Sequence, residues 1–158
     1  MLDFEAYRPV DAKIVAAAGH KVGHLLRVLR VKPDELRVRW AFDEARMGDT
    51  ADVETYASVL RLQTSRLLNL KAAHRGRTVI RGDMISAFLH VHSEPFYTYF
   101  PPGHPMEKSG MLMEWTKLLY GKGAAPRGLR QDLKSTLLAL GFEEQGGADE
   151  CLYVHEQR

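Results

Sequence analysis

The chain has 158 residues, 45% of them apolar and 27% charged, the balance of a single globular domain, which excludes a disordered polymer. No apolar run reaches the roughly 20 residues that a membrane-spanning helix needs. The opening MLDFEAYRPV holds neither a basic leader nor an apolar core, so an intracellular protein (cytoplasm or nucleus, not secreted) is expected. One cysteine, Cys151, excludes an internal disulfide and a thiolate metal cluster, and a net charge of +2 does not by itself identify a nucleic-acid partner.

In chain order, the first expected elements are short strands at Lys13–Val15, Leu25–Val31 and Leu36–Phe42. In the third, Leu36, Val38 and Trp40 alternate with Arg37 and Arg39, the period of a strand with one wet face. Lys32-Pro33-Asp34-Glu35 reads as the turn between the last two. Residues 21–40 carry six Lys/Arg (Lys21, Arg27, Arg30, Lys32, Arg37, Arg39) against Asp34 and Glu35, a patch that either faces phosphates or is a solvated face.

A helix is expected from about Leu62 to Arg75, with Leu67, Leu68 and Ala72 on its buried side and Gly76 ending it. Thr78-Val79-Ile80 reads as a short strand leading to Gly82-Asp83, and a further strand is expected at Met111–Leu119. Pro126 suits the first turn of a second helix, whose Leu129, Leu133, Leu137 and Leu140 recur on one face before Gly141. Cys151–Val154 closes the set as a strand. This order predicts an α/β (α+β) fold, a split sandwich on an antiparallel sheet.

Among the weaker signals, His90, His92 and His104 lack the spacing of a zinc site, and Ser86 with His90 lacks an orienting acid. Phe96, Tyr97, Tyr99 and Phe100 read as packing rather than as a base-stacking platform.

Five segments, in order, resemble the reverse transcriptase of copia-type LTR retrotransposons. TYASVLRLQTSRLLNLKAAHRG (55–76) is similar to TFAPVVRLETVRLLLALAAQRG, and VIRGDMISAFLH (79–90) to QLDVKSAFLNG. PPG (101–103) matches a proline pair that follows. LLYGKGAAPRGL (118–129) resembles SLYGLKQAPRAW, and LLALGFEEQGGADECLYV (137–154) resembles LLSLGFKRSKADPSLYV. The resemblance covers about residues 52–154.

It implies a fragment of a right-hand polymerase. Residues 1–50 would be fingers-like strands. Residues 51–158 would be partial fingers and the first part of a split βαββαβ palm. The implied ligands are dNTPs, an RNA/DNA primer–template and Mg²⁺. Nucleotide addition spreads negative charge over phosphate oxygens, which two Mg²⁺ ions roughly 4 Å apart stabilise. Asp83 would be the first metal-binding aspartate and the Met84 carbonyl its neighbour. The other reading of Asp83 is a helix-capping residue. Phe88 would exclude the ribose 2′-hydroxyl by clash, and Tyr120, Gly121, Pro126 and Arg127 would line the template–nucleotide pocket.

The chain departs from the family pattern in several places. Lys122-Gly123-Ala124 stand for Leu-Lys-Gln, Gly128-Leu129 for the tryptophan after Pro-Arg, and His90-Val91 for Asn-Gly. The fingers motif KARLVARG is met at best by residues 11–19, where only Lys13 keeps its charge. The sequence reaches Arg158 before the aromatic-x-Asp-Asp hairpin, and Asp149-Glu150 reads as a solvated turn rather than a replacement. The expectation is a degenerate reverse transcriptase that is inactive alone; the alternative is a relic that acts as a weak nucleic-acid-binding or interaction module.

Overall fold

The computed structural model describes residues 5–48, 55–147 and 149–155. The alternation at 36–42 produces a strand: β3 (Leu25–Lys32) and β4 (Glu35–Phe42) pair antiparallel around a tight turn. The full element order is β1 (Tyr7–Asp11), α1 (Ala12–Ala17), β2 (Val22–Gly23), β3, β4, α2 (Leu62–His74), β5 (His92–Thr98), β6 (Met111–Lys117), α3 (Ala125–Ala139), β7 (Glu143–Glu144) and β8 (Tyr153–Val154). Two 3₁₀ turns, Glu44–Met47 and Ala87–His90, interrupt the order. The fold is mixed α/β with antiparallel and mixed sheets, as expected.

The chain divides into two compact units, residues 1–55 with 86–128 and residues 56–85 with 129–158. The first is built on a four-stranded sheet of order β1-β6-β5-β2, antiparallel except for the short parallel β2–β5 pair. β6 lies between β1 and β5, and Leu112, Met113, Glu114 and Trp115 are all buried in succession rather than alternately, so both faces of the strand are covered there. Trp115, Met113, Phe42, Phe100 and Leu119 form its core. The Trp115 indole N–H donates to the Thr98 hydroxyl at 2.9 Å, both side chains being buried, and the Phe96 ring stacks on Trp115. Buried Glu114 is paired across the strands with Arg8, whose guanidinium donates to its carboxylate and holds it below the usual carboxylate range.

Residues 13–15 are helical, not extended. The Asp11 carboxylate accepts the Lys13 amide at 2.8 Å and so caps α1, and Ala12, Ala16 and Ala17 favour the helix. Only Val15 of α1 is buried.

α2, in the second unit, and α3, whose residues 125–128 belong to the first unit and the rest to the second, form as expected, and Gly76 and Gly141 follow their ends with positive φ. The buried sides differ from expectation. Leu67 of α2 and Leu133 of α3 are exposed, and so is Leu140 just past the end of α3. The half-buried positions of α2 are Thr64, Ser65, Asn69 and Ala72. The 78–80 strand does not form among the described residues, and Ile80 is 89% exposed. A strand is defined by the neighbour whose N–H and C=O groups it meets, and none pairs with these residues.

The last strand is limited to Tyr153–Val154, with a turn before it. That turn is solvated only in part, since Glu150 is exposed and Asp149 is not. Asp149 is 4% exposed and accepts the Arg61 amide at 2.9 Å and the Cys151 amide at 3.0 Å, which ties it to the first turn of α2. A Thr64 hydrogen bond and these amides hold its carboxyl below the ordinary range. Glu150 beside it accepts from Ser58 (2.7 Å) and Arg130 (2.8 Å).

Candidate nucleotide site

The Tyr120–Arg127 segment is anchored before it can be a pocket wall. The Phe42 amide donates to the Tyr120 carbonyl at 2.6 Å, carrying the loop onto the end of β4. Gly121 follows with φ +87, and a Cβ there would stand 2.1 Å from the Phe42 carbonyl oxygen. Only glycine satisfies both the left-handed backbone and that approach. The backbone that comes so close is the protein's own.

With its carbonyl fixed, Tyr120 turns its ring edge-on to Phe88 at 4.6 Å and 78°. The Arg39 guanidinium lies 4.5 Å from the Tyr120 ring centroid. Phe88 sits in the 3₁₀ turn after Ser86, a non-glycine residue with φ +52. The structure therefore brings Phe88 and Tyr120 together and adds Arg39. The strand alternation that sets Arg37 and Arg39 against Val38 and Trp40 was the sequence signal for it.

The departures from the family pattern also have local roles. Lys122 is half-buried, with its ammonium 4.1 Å from the Phe96 ring centroid and donating to the Ser93 hydroxyl at 3.0 Å. Burial pushes its pKa down. The Gly123 amide donates to the Glu44 carboxylate. At Gly128 a Cβ would meet the Leu118 Cδ1 at 2.6 Å, so α3 lies too close for a side chain unless Leu118 moves. Pro126 is exposed and Arg127 half-buried.

Asp83 and Met84 belong to the second unit and are exposed; with no strand formed before it, Asp83 does not stand at the tip of a buried strand. Among the described residues no group of three or more His, Cys, Asp or Glu side chains could hold a metal ion. A lone exposed carboxylate does not fit a two-metal site. His92 instead contacts the Lys117 ammonium at 3.0 Å, and His104 stacks on Phe100 and accepts the Met106 amide at 3.1 Å. Phe96 and Phe100 pack in or against the core, while Tyr99 is exposed and stacks on His24.

These features describe a mixed α/β protein with an aromatic pair under an arginine. Residues 38–157 match the family model of the reverse transcriptase (RNA-dependent DNA polymerase), and the chain belongs to that family. No curated protein matches the chain, and no solved structure does. Reverse transcriptases bind nucleic-acid templates and dNTPs and generally use a divalent metal. The match does not reach residues 11–19, where KARLVARG had been placed; they form the end of β1, the short α1 and the turn after it. No helix among the described residues is long and apolar enough to cross a membrane.

Proposed function

We propose that the chain carries the nucleotide-facing wall of a copia-type RNA-directed DNA polymerase. In this reading Phe88 meets the sugar of the incoming dNTP, and Tyr120, Gly121, Pro126 and Arg127 shape the pocket around it. Asp83, with the Met84 carbonyl, contributes one part of a Mg²⁺ site that needs further carboxylates. The observation that carries the reading is the Arg39–Tyr120–Phe88 cluster, with the guanidinium over the tyrosine ring and the two rings edge-on. Phe88 is braced from the side by Tyr120, and a braced ring rejects an added hydroxyl by clash, where a mobile one would yield. Arg39 brings a guanidinium, whose fork suits phosphate oxygens, to the same aromatic pair.

The test is equilibrium binding of dATP and ATP to the full chain by titration calorimetry. The intact chain is expected to prefer dATP, and Phe88→Ala to narrow that preference about tenfold, or ~1.4 kcal/mol. Equal affinity for the two nucleotides in the intact chain sinks the sugar-gate role. Primer extension on an RNA template with Mg²⁺ is expected to give no product; synthesis abolished by Asp83→Asn would show a complete metal centre.

The exposed position of Asp83 favours a second reading, a non-catalytic relic that binds nucleic acid weakly. Arg30, Lys32, Arg37 and Arg39 share one face of the β3–β4 hairpin and would contact backbone phosphates. It requires binding that weakens with salt and is unchanged by Asp83→Asn or Phe88→Ala.

A further inference from the structure

A separate recess in the first unit, a cavity of about 460 Å³, is lined by Lys21, Val22, Gly23, His24, Asp43, Arg46 and Met47. Its walls are held by main-chain bonds. The Asp43 amide donates to the His24 carbonyl at 3.0 Å, and the Tyr99 amide to the Gly23 carbonyl at 3.2 Å. At Gly23 a Cβ would stand 2.4 Å from the Phe42 Cε2 and 2.9 Å from the Met47 sulfur, so the glycine lets these walls close up. The His24 ring is braced by stacking on Tyr99 at 4.9 Å and 29°.

The charges are arranged in depth. Asp43 lies inside, its side chain 11% exposed, and forms an ion pair with Arg46, Nε to carboxylate oxygen 3.2 Å, while Arg46 remains 74% exposed. A guanidinium carries five N–H donors, so one whose Nε lies beside a buried carboxylate still has terminal donors to offer. Lys21 adds a second cation and His24 an imidazole, which leaves the lining net positive despite Asp43. Val22 and Met47 supply an apolar surface. The volume lies in the range of small-molecule sites and exceeds what a bare phosphate fills.

We propose that this recess binds a phosphate group carried by a flat, apolar body, that is, a nucleotide, either free or as a unit of a strand. Lys21 and Arg46 hold the phosphate, and Val22 and Met47 take the base. Lys21 to His24 lie outside the reverse-transcriptase match, and neither Phe88 nor Tyr120 lines the recess. The site therefore stands or falls independently of the nucleotide wall proposed above.

The experiment is an amide NMR titration of the full chain with AMP, adenosine, inorganic phosphate and the single strand (dT)₈, read at Gly23 and His24. AMP is expected to shift these resonances saturably and adenosine to bind at least tenfold more weakly. Arg46→Gln keeps a donor for Asp43 and removes the charge, and it should weaken AMP at least tenfold. Lys21→Ala should do the same and serves if Arg46→Gln fails to fold. Arg39→Ala should leave the shifts unchanged, which separates this recess from the Tyr120 site. Tighter binding of (dT)₈ than of AMP identifies a strand phosphate as the source, and the reverse identifies a free nucleotide. Adenosine binding as well as AMP, AMP binding unaffected by either variant, or no shift at Gly23 and His24 with AMP overturns the proposal.

Discussion

Asp149 accepts the main-chain N–H of Arg61 at 2.9 Å, across 88 residues of sequence. The contact joins the entry of α2 to the turn before β8 within the second unit. A helix leaves its first amides without intrahelical partners, and a carboxylate from a distant turn satisfies one here.

That contact has a pH signature. The Thr64 hydrogen bond, with the Arg61 and Cys151 amides, lowers the Asp149 pKa in the folded chain. A lowered carboxylate pKa stabilises fully above the unfolded value, about 3.9, and the gain is lost as pH falls through the folded value. The protection factors of the Arg61 and Cys151 amides, exchange relative to the intrinsic rate at the same pH, should therefore be high at neutral pH and fall on acidification below about pH 4. In Asp149→Asn protection should be lower at neutral pH, with its acid-dependent fall removed. An unaltered exchange profile in Asp149→Asn would show that the carboxylate does not hold the turn.

Gly121 and Gly19 make a controlled pair, since both have positive φ but only Gly121 faces the Phe42 carbonyl; nothing lies within 4 Å of a Cβ at Gly19. Gly19→Ala should cost only the backbone term, about 1–2 kcal/mol. Gly121→Ala adds the clash and should exceed about 3 kcal/mol. Urea unfolding of the two variants measures the difference, and equal losses would contradict the close approach.

Thr98→Val keeps the shape of the side chain and deletes the acceptor of the buried Trp115 N–H. An orphaned buried donor costs about 1–3 kcal/mol, so the denaturation midpoint should fall while Trp115 stays buried by fluorescence. A midpoint equal to that of the intact chain would mean that the indole finds another partner.

The β3–β4 hairpin has two unlike faces. Leu29 with Val38 and Val31 with Leu36 share one, and Val28 with Arg39 and Arg30 with Arg37 share the other. Leu29, Val31, Leu36 and Val38 are each at least half exposed. The double variant Val31→Thr, Leu36→Thr should reduce self-association in light scattering. Stability should change by less than about 0.5 kcal/mol, since these positions bury little. Unchanged scattering would rule out this face as the sticky one.

Much of this was legible in the sequence where a signal is local. The alternation from Leu36 to Phe42 needs only its own period to specify a strand, and Gly76 and Gly141 mark helix ends through a backbone property of one residue. What failed depended on partners. Val79-Ile80 has strand-forming side chains, yet nothing described pairs with it. Leu67 fits a helical stripe, but the stripe does not say which side is covered. Residues 13–15 look extended until the Asp11 cap is counted. Asp149 reads as a wet turn because Arg61 lies far away in sequence. The role of Asp83 rests on family resemblance, and its exposed position adds nothing to that.

Phe42 stands between two glycines. Its ring leaves no space for a side chain at Gly23, and its carbonyl leaves none at Gly121. The wall of the recess at Gly23 and the left-handed turn at Gly121 thus abut a single residue from two sides. A larger side chain at either glycine would press on the same residue, on its ring from Gly23 and on its carbonyl from Gly121, so damage at one place would register at the other.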